Sequence, residues 1–158
     1  MAESADREAW AAGHAAAEAD ARARGLAVEF VPRTPGERPA PIDGVEPVKT
    51  IVVQRRDGYV LVLAPLAEQF SWAKLRALLG VNRLSLPDPA GALAATGYAR
   101  GTISPLGARG DWPVVMDARL SGARIVIGSG SPAAGAIVDA DELARAYAAT
   151  VADLGADS

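Results

Sequence analysis

The stretch Glu46-Pro47-Val48-Lys49-Thr50-Ile51-Val52-Val53-Gln54 decides the fold. Its centre is rich in β-branched apolar residues, which is typical of a strand. Alternate residues of a strand share a face, so Lys49 lies on the same face as Ile51 and Val53. The opposite face consists of Val48, Thr50 and Val52. Because both faces are largely apolar, we expect the strand to be covered on both sides.

Lys49 is the residue that such a strand does not explain. A charge on a covered strand is costly unless it has a partner or a ligand. The chain has sixteen Lys plus Arg residues, yet only Lys49 and Lys74 are lysines. Lysine offers a compact charge that arginine does not. Two interpretations remain open at this point: a lysine that acts on a ligand, or a strand-end lysine that reaches water beside Pro47.

Composition limits the class of protein. With 158 residues, a net charge of −3 and no cysteine, we expect a single domain over residues 1–158 without disulfides, thiolate chemistry or Cys-ligated zinc. Metal-ligand spacing is absent, so no metal and no cofactor are expected. The acidic balance argues against DNA as a partner, although a local basic patch is possible. No apolar run reaches transmembrane length, and we expect a soluble, cytoplasmic protein with no membrane partner.

The rest of the chain predicts helices and strands around this centre. Arg55-Arg56-Asp57-Gly58 is typical of a hairpin turn, and residues 59–64 form the returning strand, so this hairpin is expected at the centre of the sheet. Helices are predicted over about residues 5–24, 72–79 and 89–96, within a core of about 28–154. Further strands are predicted at 28–31, 114–117, 124–127 and 136–138, with a weak one at 83–86.

Three further segments carry predictions of their own. The Pro- and Gly-rich stretch 32–47 is a long connection in which nothing specifies chemistry. A last helix is predicted to begin at Asp139, with one apolar stripe of Leu143, Tyr147, Val151 and Leu154. His14, the sole histidine, is interpreted as a surface or packing residue of the first helix.

Two glycine-rich segments could bring backbone close to a ligand. The first runs from Thr96 to Gly107, and the second is Gly128-Ser129-Gly130-Ser131 after a strand. The Gly-x-Gly of the second segment suggests a nucleotide-dependent enzyme. That hypothesis lacks the helix that must follow such a turn and meet the phosphate. A turn of exposed N–H groups could still bind a carbonyl or phosphate oxygen.

In order and spacing, these segments resemble the YbaK / prolyl-tRNA synthetase-associated domain family, the trans-editing aminoacyl-tRNA deacylases. The resemblance runs from about Val28 to Leu154 and uses four segments. They are Val48-Lys49-Thr50, Thr96-Gly97-Tyr98 with Gly101 to Pro105, Val115-Met116-Asp117, and Gly128 to Ser131. It implies an α+β domain with a mixed, barrel-like sheet flanked by helices. It also implies hydrolysis of the ester between a wrong amino acid and the 3′ end of a tRNA.

The resemblance also implies a set of site residues. The family's lysine corresponds to Lys49, which becomes the candidate catalytic residue. Its Gly-x-x-x-Pro loop corresponds to Gly101, Thr102, Ile103, Ser104 and Pro105, and its late glycine-rich turn to Gly128, Ser129, Gly130 and Ser131. Asp117 corresponds to a strand-end carboxylate that either belongs to the pocket or makes a structural hydrogen bond. The implied partners are the acceptor end of an aminoacyl-tRNA and prolyl-tRNA synthetase.

Two departures from the family pattern concern the substrate. The Pro-rich segment 35–47 stands where many members have a helix that shapes the amino-acid pocket. Gly135 and Ala136 occupy the region where the family often has a histidine. The sequence therefore does not predict which amino acid is removed, beyond a tRNA(Pro) carrying alanine, cysteine or a similar small residue.

The residues present allow one chemical scheme and leave Lys49 with two possible roles. Without cysteine, and with one histidine on a distant helix, the usual nucleophile arrangements are not available. The site would position the ester, stabilise its oxyanion through N–H groups near Gly101 and Gly128 to Gly130, and let water attack. Lys49 could act as an ammonium or as a neutral amine base. The alternative to an enzyme is a non-catalytic tRNA- or protein-binding module of the same fold.

Overall fold

A computed structural model describes residues 4–37 and 40–156. It contains four α-helices and seven strands in these ranges. The helices are α1 (Ser4–Ala23), α2 (Trp72–Leu79), α3 (Pro89–Thr96) and α4 (Ala140–Ala146). The strands are β1 (Glu29–Pro32), β2 (Glu46–Arg55), β3 (Gly58–Pro65), β4 (Val114–Asp117), β5 (Arg124–Gly128), β6 (Ala134–Asp139) and β7 (Thr150–Ala152).

The strands form one mixed sheet in the order β1-β6-β5-β2-β3-β4-β7. β2 and β3 pair antiparallel from Val48–Pro65 to Arg55–Gly58. The first two residues of β2, Glu46 and Pro47, pair instead with β5 in the parallel direction. The predicted α+β class and the central hairpin are confirmed. The sheet ends in β1 and β7 and is not closed, so it does not form a barrel.

Both faces of β2 are covered, as its apolar pattern predicts. Val48 and Val52 belong to the larger core, which α1, α3 and α4 cover with Ala17, Ala92 and Leu143. Val53 belongs to a second core with Leu75 of α2. Burial of apolar surface on both faces stabilises the strand, at about 25 cal/mol per Å².

The residues that the sequence pattern predicts as caps of α2 and α3 form those caps in the structure. The Ser71 side chain accepts a hydrogen bond from the Lys74 N–H, and Gly80 ends α2 with a left-handed backbone at φ 66°. Asp88 caps α3 in the same way, directly before Pro89. Side-chain oxygens satisfy N–H groups that a helix start leaves unpaired. In the described ranges, no helix is long and apolar enough to cross a membrane.

The predicted last helix is wrong in its second half. α4 ends at Ala146, and Ala148 takes a positive φ of 49°. Residues 150–152 then pair with β4 in the parallel direction. The edge of β4 offers unpaired backbone groups, and the β-branched Thr150 and Val151 fit a strand better than a helix. The weak strand predicted at 83–86 is reduced to one bridge between Gln54 and Ser85.

Candidate active site

A cavity of about 750 Å³ opens beside the first half of β2. Its walls come from β1, the segment after β1, the start of β2, the loop after α3, and the strands β5 and β6. The apolar part of the wall includes Val31, Ile42, Val126, Ile127 and Ile137. The charged residues of the wall are Glu29, Arg33, Glu37, Lys49 and Arg100.

Lys49 lies in the wall of this cavity and is only partly buried. Its Nζ donates a hydrogen bond of 2.8 Å to the backbone carbonyl oxygen of Glu68. An ammonium group has three donors, so two remain for a ligand. Because Lys49 sits at the first part of β2 rather than in its middle, it meets the cavity instead of the closed core.

The Gly101–Pro105 loop divides into lining and supporting residues. Gly101 and Ile103 line the cavity. Thr102, Ser104 and Pro105 are buried and lie outside its wall. Thr102 bonds Ala99 through both its N–H (3.0 Å) and its hydroxyl (2.7 Å). These bonds hold the loop in shape, so the ligand-facing part is Gly101 and Ile103.

The Gly128–Ser131 turn divides in the same way. Gly128 lines the cavity, whereas Ser129, Gly130 and Ser131 do not. The Ser129 hydroxyl donates to the carbonyl oxygen of Ala134 at 2.6 Å. The Gly130 N–H donates to the Thr102 carbonyl oxygen at 3.0 Å. Because that N–H is occupied, Gly130 is not an oxyanion donor as the sequence suggested.

Glycine is required in this turn because the backbones touch. A methyl group at Gly128 would lie 3.0 Å from the carbonyl carbon of Ile103 and closer still to its oxygen. Gly130, at φ +83°, packs against Gly13 of α1, where an added methyl would meet the Gly13 oxygen at 2.6 Å. The two glycine-rich segments and α1 therefore form one tightly packed unit beside the cavity.

Side chains of α1 and its neighbours secure this unit. The Tyr98 hydroxyl donates to the Leu106 carbonyl oxygen at 2.6 Å, and burial raises the pKa of Tyr98 to about 12. The Asp20 carboxylate accepts bonds from the Gly107 N–H, at 2.9 Å, and from Tyr147. His14 stacks on Phe30 with ring centroids 4.3 Å apart and lies outside the cavity wall, which agrees with a packing role.

Asp117 does not reach the cavity. Its side chain is fully buried at the end of β4 and accepts hydrogen bonds from Arg119, including Nη2 at 2.7 Å. It also accepts the Arg119 N–H at 3.0 Å as the cap of a short 3-10 helix (Ala118–Leu120). The hydrogen bond to Asp117 raises the pKa of Arg119 further. Of the two roles open for Asp117, the geometry favours the structural hydrogen bond over the pocket.

The sequence reasoning missed the contribution of the Pro-rich segment. Arg33, Thr34, Glu37, Ala40 and Ile42 all line the cavity. The sequence predicted no chemistry for this segment, and the structure places these residues in the cavity wall. The length of the connection was a usable signal, because long ordered loops are often functional. Arg33 and Arg100 also line a second cavity of about 620 Å³, which shares Glu37, Leu66 and Gly101 with the first.

The chemistry available at the site is polar and cationic. In residues 4–37 and 40–156, no group of three or more His, Asp or Glu side chains could hold a metal ion. In the same ranges the N–H groups of Gly101 and Ile103 donate no hydrogen bond. These N–H groups and the Lys49 ammonium belong to residues of the same cavity wall.

Known proteins share sequence or fold with this chain. Over 60 residues, the chain is 37% identical to a proline–tRNA ligase of Thermosipho melanesiensis; these residues are 38% of the chain and 11% of the ligase. A crystal structure provisionally described as a trans-editing enzyme for prolyl-tRNA synthetase shares the fold, with a TM-score of 0.83, 23% identity, and coverage of 92% of this chain and 98% of that one. A scaffold structure from work on epitope backbone grafting superposes with a TM-score of 0.81 at 23% identity, covering 92% and 97%.

A family model covers the centre of the chain. It is described as the aminoacyl-tRNA editing domain and matches residues 36–146. The matched range contains Lys49 and both glycine-rich segments, and thus most of the cavity wall. The chain belongs to the aminoacyl-tRNA editing domain family.

Proposed function

We propose that the protein is a trans-editing deacylase that hydrolyses the ester of a mischarged tRNA. One observation carries the proposal: Lys49, Gly101, Ile103 and Gly128 line a single cavity in a member of an aminoacyl-tRNA editing family. The cavity volume of about 750 Å³ lies within the range of small-molecule sites. It is large enough for an amino acid together with the terminal nucleoside of a tRNA.

The two kinds of cavity wall suit the two parts of such a substrate. The apolar wall would receive the side chain of the amino acid. Arg33 and Arg100 lie where the two cavities meet and would contact the phosphates of the acceptor end. A guanidinium recognises phosphate through several donors at once. The two guanidinium groups are a local source of positive charge in a chain whose net charge is −3.

The proposed reaction is attack of water on the ester carbonyl, which releases a free amino acid and restores the 3′ or 2′ hydroxyl of the tRNA. The ammonium of Lys49 would hold the carbonyl oxygen or the terminal phosphate with the two donors that Glu68 leaves available. The N–H groups of Gly101 and Ile103 would stabilise the oxyanion. Loss of one such donor typically costs about a hundredfold or more in rate.

We propose a tRNA(Pro) carrying alanine, cysteine or a similar small amino acid as substrate, and prolyl-tRNA synthetase as a partner. The similarity to a segment of a proline–tRNA ligase supports tRNA(Pro) and the synthetase as partners, whereas the amino acid is proposed from the family resemblance alone. Selection would be steric, and a pocket distinguishes one methylene by only about 1–3 kcal/mol. A separate editing site is useful because a synthetase pocket faces the same limit.

The test is release of amino acid from alanyl-, cysteinyl-, seryl- and prolyl-tRNA(Pro), each with and without the protein. We expect accelerated release from at least one of the mischarged tRNAs and none from prolyl-tRNA(Pro). Equal rates with and without protein for every substrate would contradict the proposal. In that case the fold would act as a binding module, which a filter-binding measurement on the same tRNAs would detect.

A further inference from the structure

The carbonyl group that holds Lys49 lies on a segment fixed at both ends. Glu68 belongs to residues 66–71, which connect β3 to α2. At the start, the Leu66 N–H donates to the Pro47 carbonyl oxygen at 2.9 Å. At the end, the Ser71 N–H donates to the Leu154 carbonyl oxygen at 2.7 Å, next to a bridge between Phe70 and Gly155. Between these anchors, the Glu68 N–H donates to the Pro65 carbonyl oxygen at 3.3 Å, and a further contact holds the Glu68 side chain.

Arg119 supplies that contact. Its Nη1 forms an ion pair with the Glu68 carboxylate, and its Nη2 donates to the Gln69 carbonyl oxygen at 3.3 Å. On its other side, the same guanidinium binds the buried Asp117 through Nε (3.1 Å) and Nη2 (2.7 Å). Since Asp117 is 0% exposed at the end of β4, Arg119 is tied to the sheet and can hold the segment in place.

We propose that Arg119 is a positioning residue that places the Glu68 carbonyl, and through it the ammonium group of Lys49. The chain of contacts runs from Asp117 to Arg119, to Glu68, and from the Glu68 carbonyl to Lys49. The kinetic consequence rests on the proposed deacylase function, whereas the placement of Lys49 does not.

Lysine needs such a partner because its four-carbon stem is flexible. Without a fixed acceptor, the ammonium would sample several positions along the cavity wall. A misplacement of about 1 Å at a reacting centre can cost about a hundredfold in rate. We therefore expect removal of the Arg119–Glu68 contact to lower kcat by about ten- to a hundredfold. KM should change by less than about threefold, since the cavity wall is intact.

The variant that tests this contact most cleanly is Glu68→Ala. It removes only the carboxylate and keeps both the Glu68 carbonyl and the buried pair of Asp117 with Arg119. Arg119→Gln removes the whole clamp, but it also leaves a buried carboxylate unpaired, so its folding must be checked by thermal unfolding. Glu18→Ala is the matched control, because Glu18 pairs with Arg22 at 3.3 Å and is 47% exposed, compared with 55% for Glu68.

A second measurement, NMR of the lysine side chains, reports the environment of Lys49 in the absence of substrate. Lys49 and Lys74 are the only lysines, so labelling with ¹³C- and ¹⁵N-lysine gives two side-chain signals in an NMR spectrum. In Glu68→Ala we expect the Lys49 signal to shift and its side-chain order to fall. Glu18→Ala should change neither signal.

The two measurements separate the possible failures. If the Lys49 signal is the same in wild type, Glu68→Ala and Arg119→Gln, the inference is overturned. Wild-type kcat in folded Glu68→Ala and Arg119→Gln would also overturn the catalytic consequence. If the wild type releases no amino acid but the Lys49 signal responds as expected, the proposed function fails and the positioning role of Arg119 stands.

Discussion

Replacement of Gly13 by alanine should destabilise the protein, although helix propensity predicts the opposite. Gly13 lies in the middle of α1, where alanine is normally more favourable than glycine by about 0.5–1 kcal/mol. A methyl group at this position would lie 2.9 Å from the carbonyl carbon of Gly130 and closer still to its oxygen. Ordinary contact begins near 3.4 Å, so α1 or the turn at Gly130 must move.

The size of the effect follows from these two opposing contributions. Overpacking of a rigid contact costs about 1–3 kcal/mol, and here the neighbour is backbone that cannot rotate away. A clash with backbone belongs to the upper part of that range, about 2–3 kcal/mol. Subtracting the gain in propensity of about 0.5–1 kcal/mol leaves a net loss of about 1–2.5 kcal/mol in the free energy of unfolding. For a chain of this length, each kcal/mol corresponds to about 2–4 °C in Tm, so we expect Tm to fall by about 2–10 °C.

The assay is thermal and urea unfolding of the wild type, Gly13→Ala and the control Ala12→Gly. Ala12 is an exposed neighbour on α1, so its replacement reports propensity alone and should cost about 1 kcal/mol. In Gly13→Ala, the displaced turn should also disturb the loop at Ile103 and lower deacylation. If Gly13→Ala is more stable than the wild type, α1 does not pack on the Gly130 turn as described.

Three further predictions concern the same scaffold and cavity. Asp20→Asn should cost about 1–3 kcal/mol of stability at neutral pH. Burial raises the pKa of Asp20, but hydrogen bonds outweigh this effect and lower the pKa below 3.8. The stabilisation is therefore present above pH 3.8 and is lost as the pH falls through the folded-state pKa, so the unfolding curves of the wild type and the variant should converge in acid. Gly128→Ala should lower kcat at least tenfold with KM little changed, because its methyl displaces the Ile103 carbonyl; wild-type kinetics would contradict this. Arg33→Gln and Arg100→Gln should each raise KM for the tRNA substrate and weaken the salt dependence of KM. Neither variant should affect hydrolysis of an aminoacyl ester of adenosine that lacks phosphate. An equal rise in KM for both substrates would contradict a phosphate contact.

The sequence predicted the centre of the fold well because local patterns and tertiary packing agree there. The β-branched run of β2, the Asp-Gly turn and the apolar return strand all favour the same hairpin. The caps at Ser71 and Asp88 are equally local. The end of the chain could not be predicted in this way, because Leu143 to Leu154 reads as one amphipathic helix. Only the free edge of β4 explains why residues 150–152 become a strand.

The site was predictable in its segments but not in the assignment of individual residues. Lys49 was notable as a charge on an apolar strand, and the structure places it in the cavity wall. For Gly130, the sequence could not distinguish a glycine that approaches a ligand from one that approaches another backbone. The role of Arg33 depends on how the Pro-rich segment folds back over the sheet, and no local pattern encodes that path.

The most direct test of the proposed function is single-turnover deacylation of the preferred mischarged tRNA(Pro) by the wild type, Lys49→Ala and Lys74→Ala. Lys74 is the only other lysine and lies outside the cavity wall. We expect Lys49→Ala to lose at least about a hundredfold in rate, in line with the loss of a group that stabilises charge in the transition state. Lys74→Ala should keep wild-type activity. If folded Lys49→Ala deacylates at the wild-type rate, the cavity beside β2 is not the catalytic site.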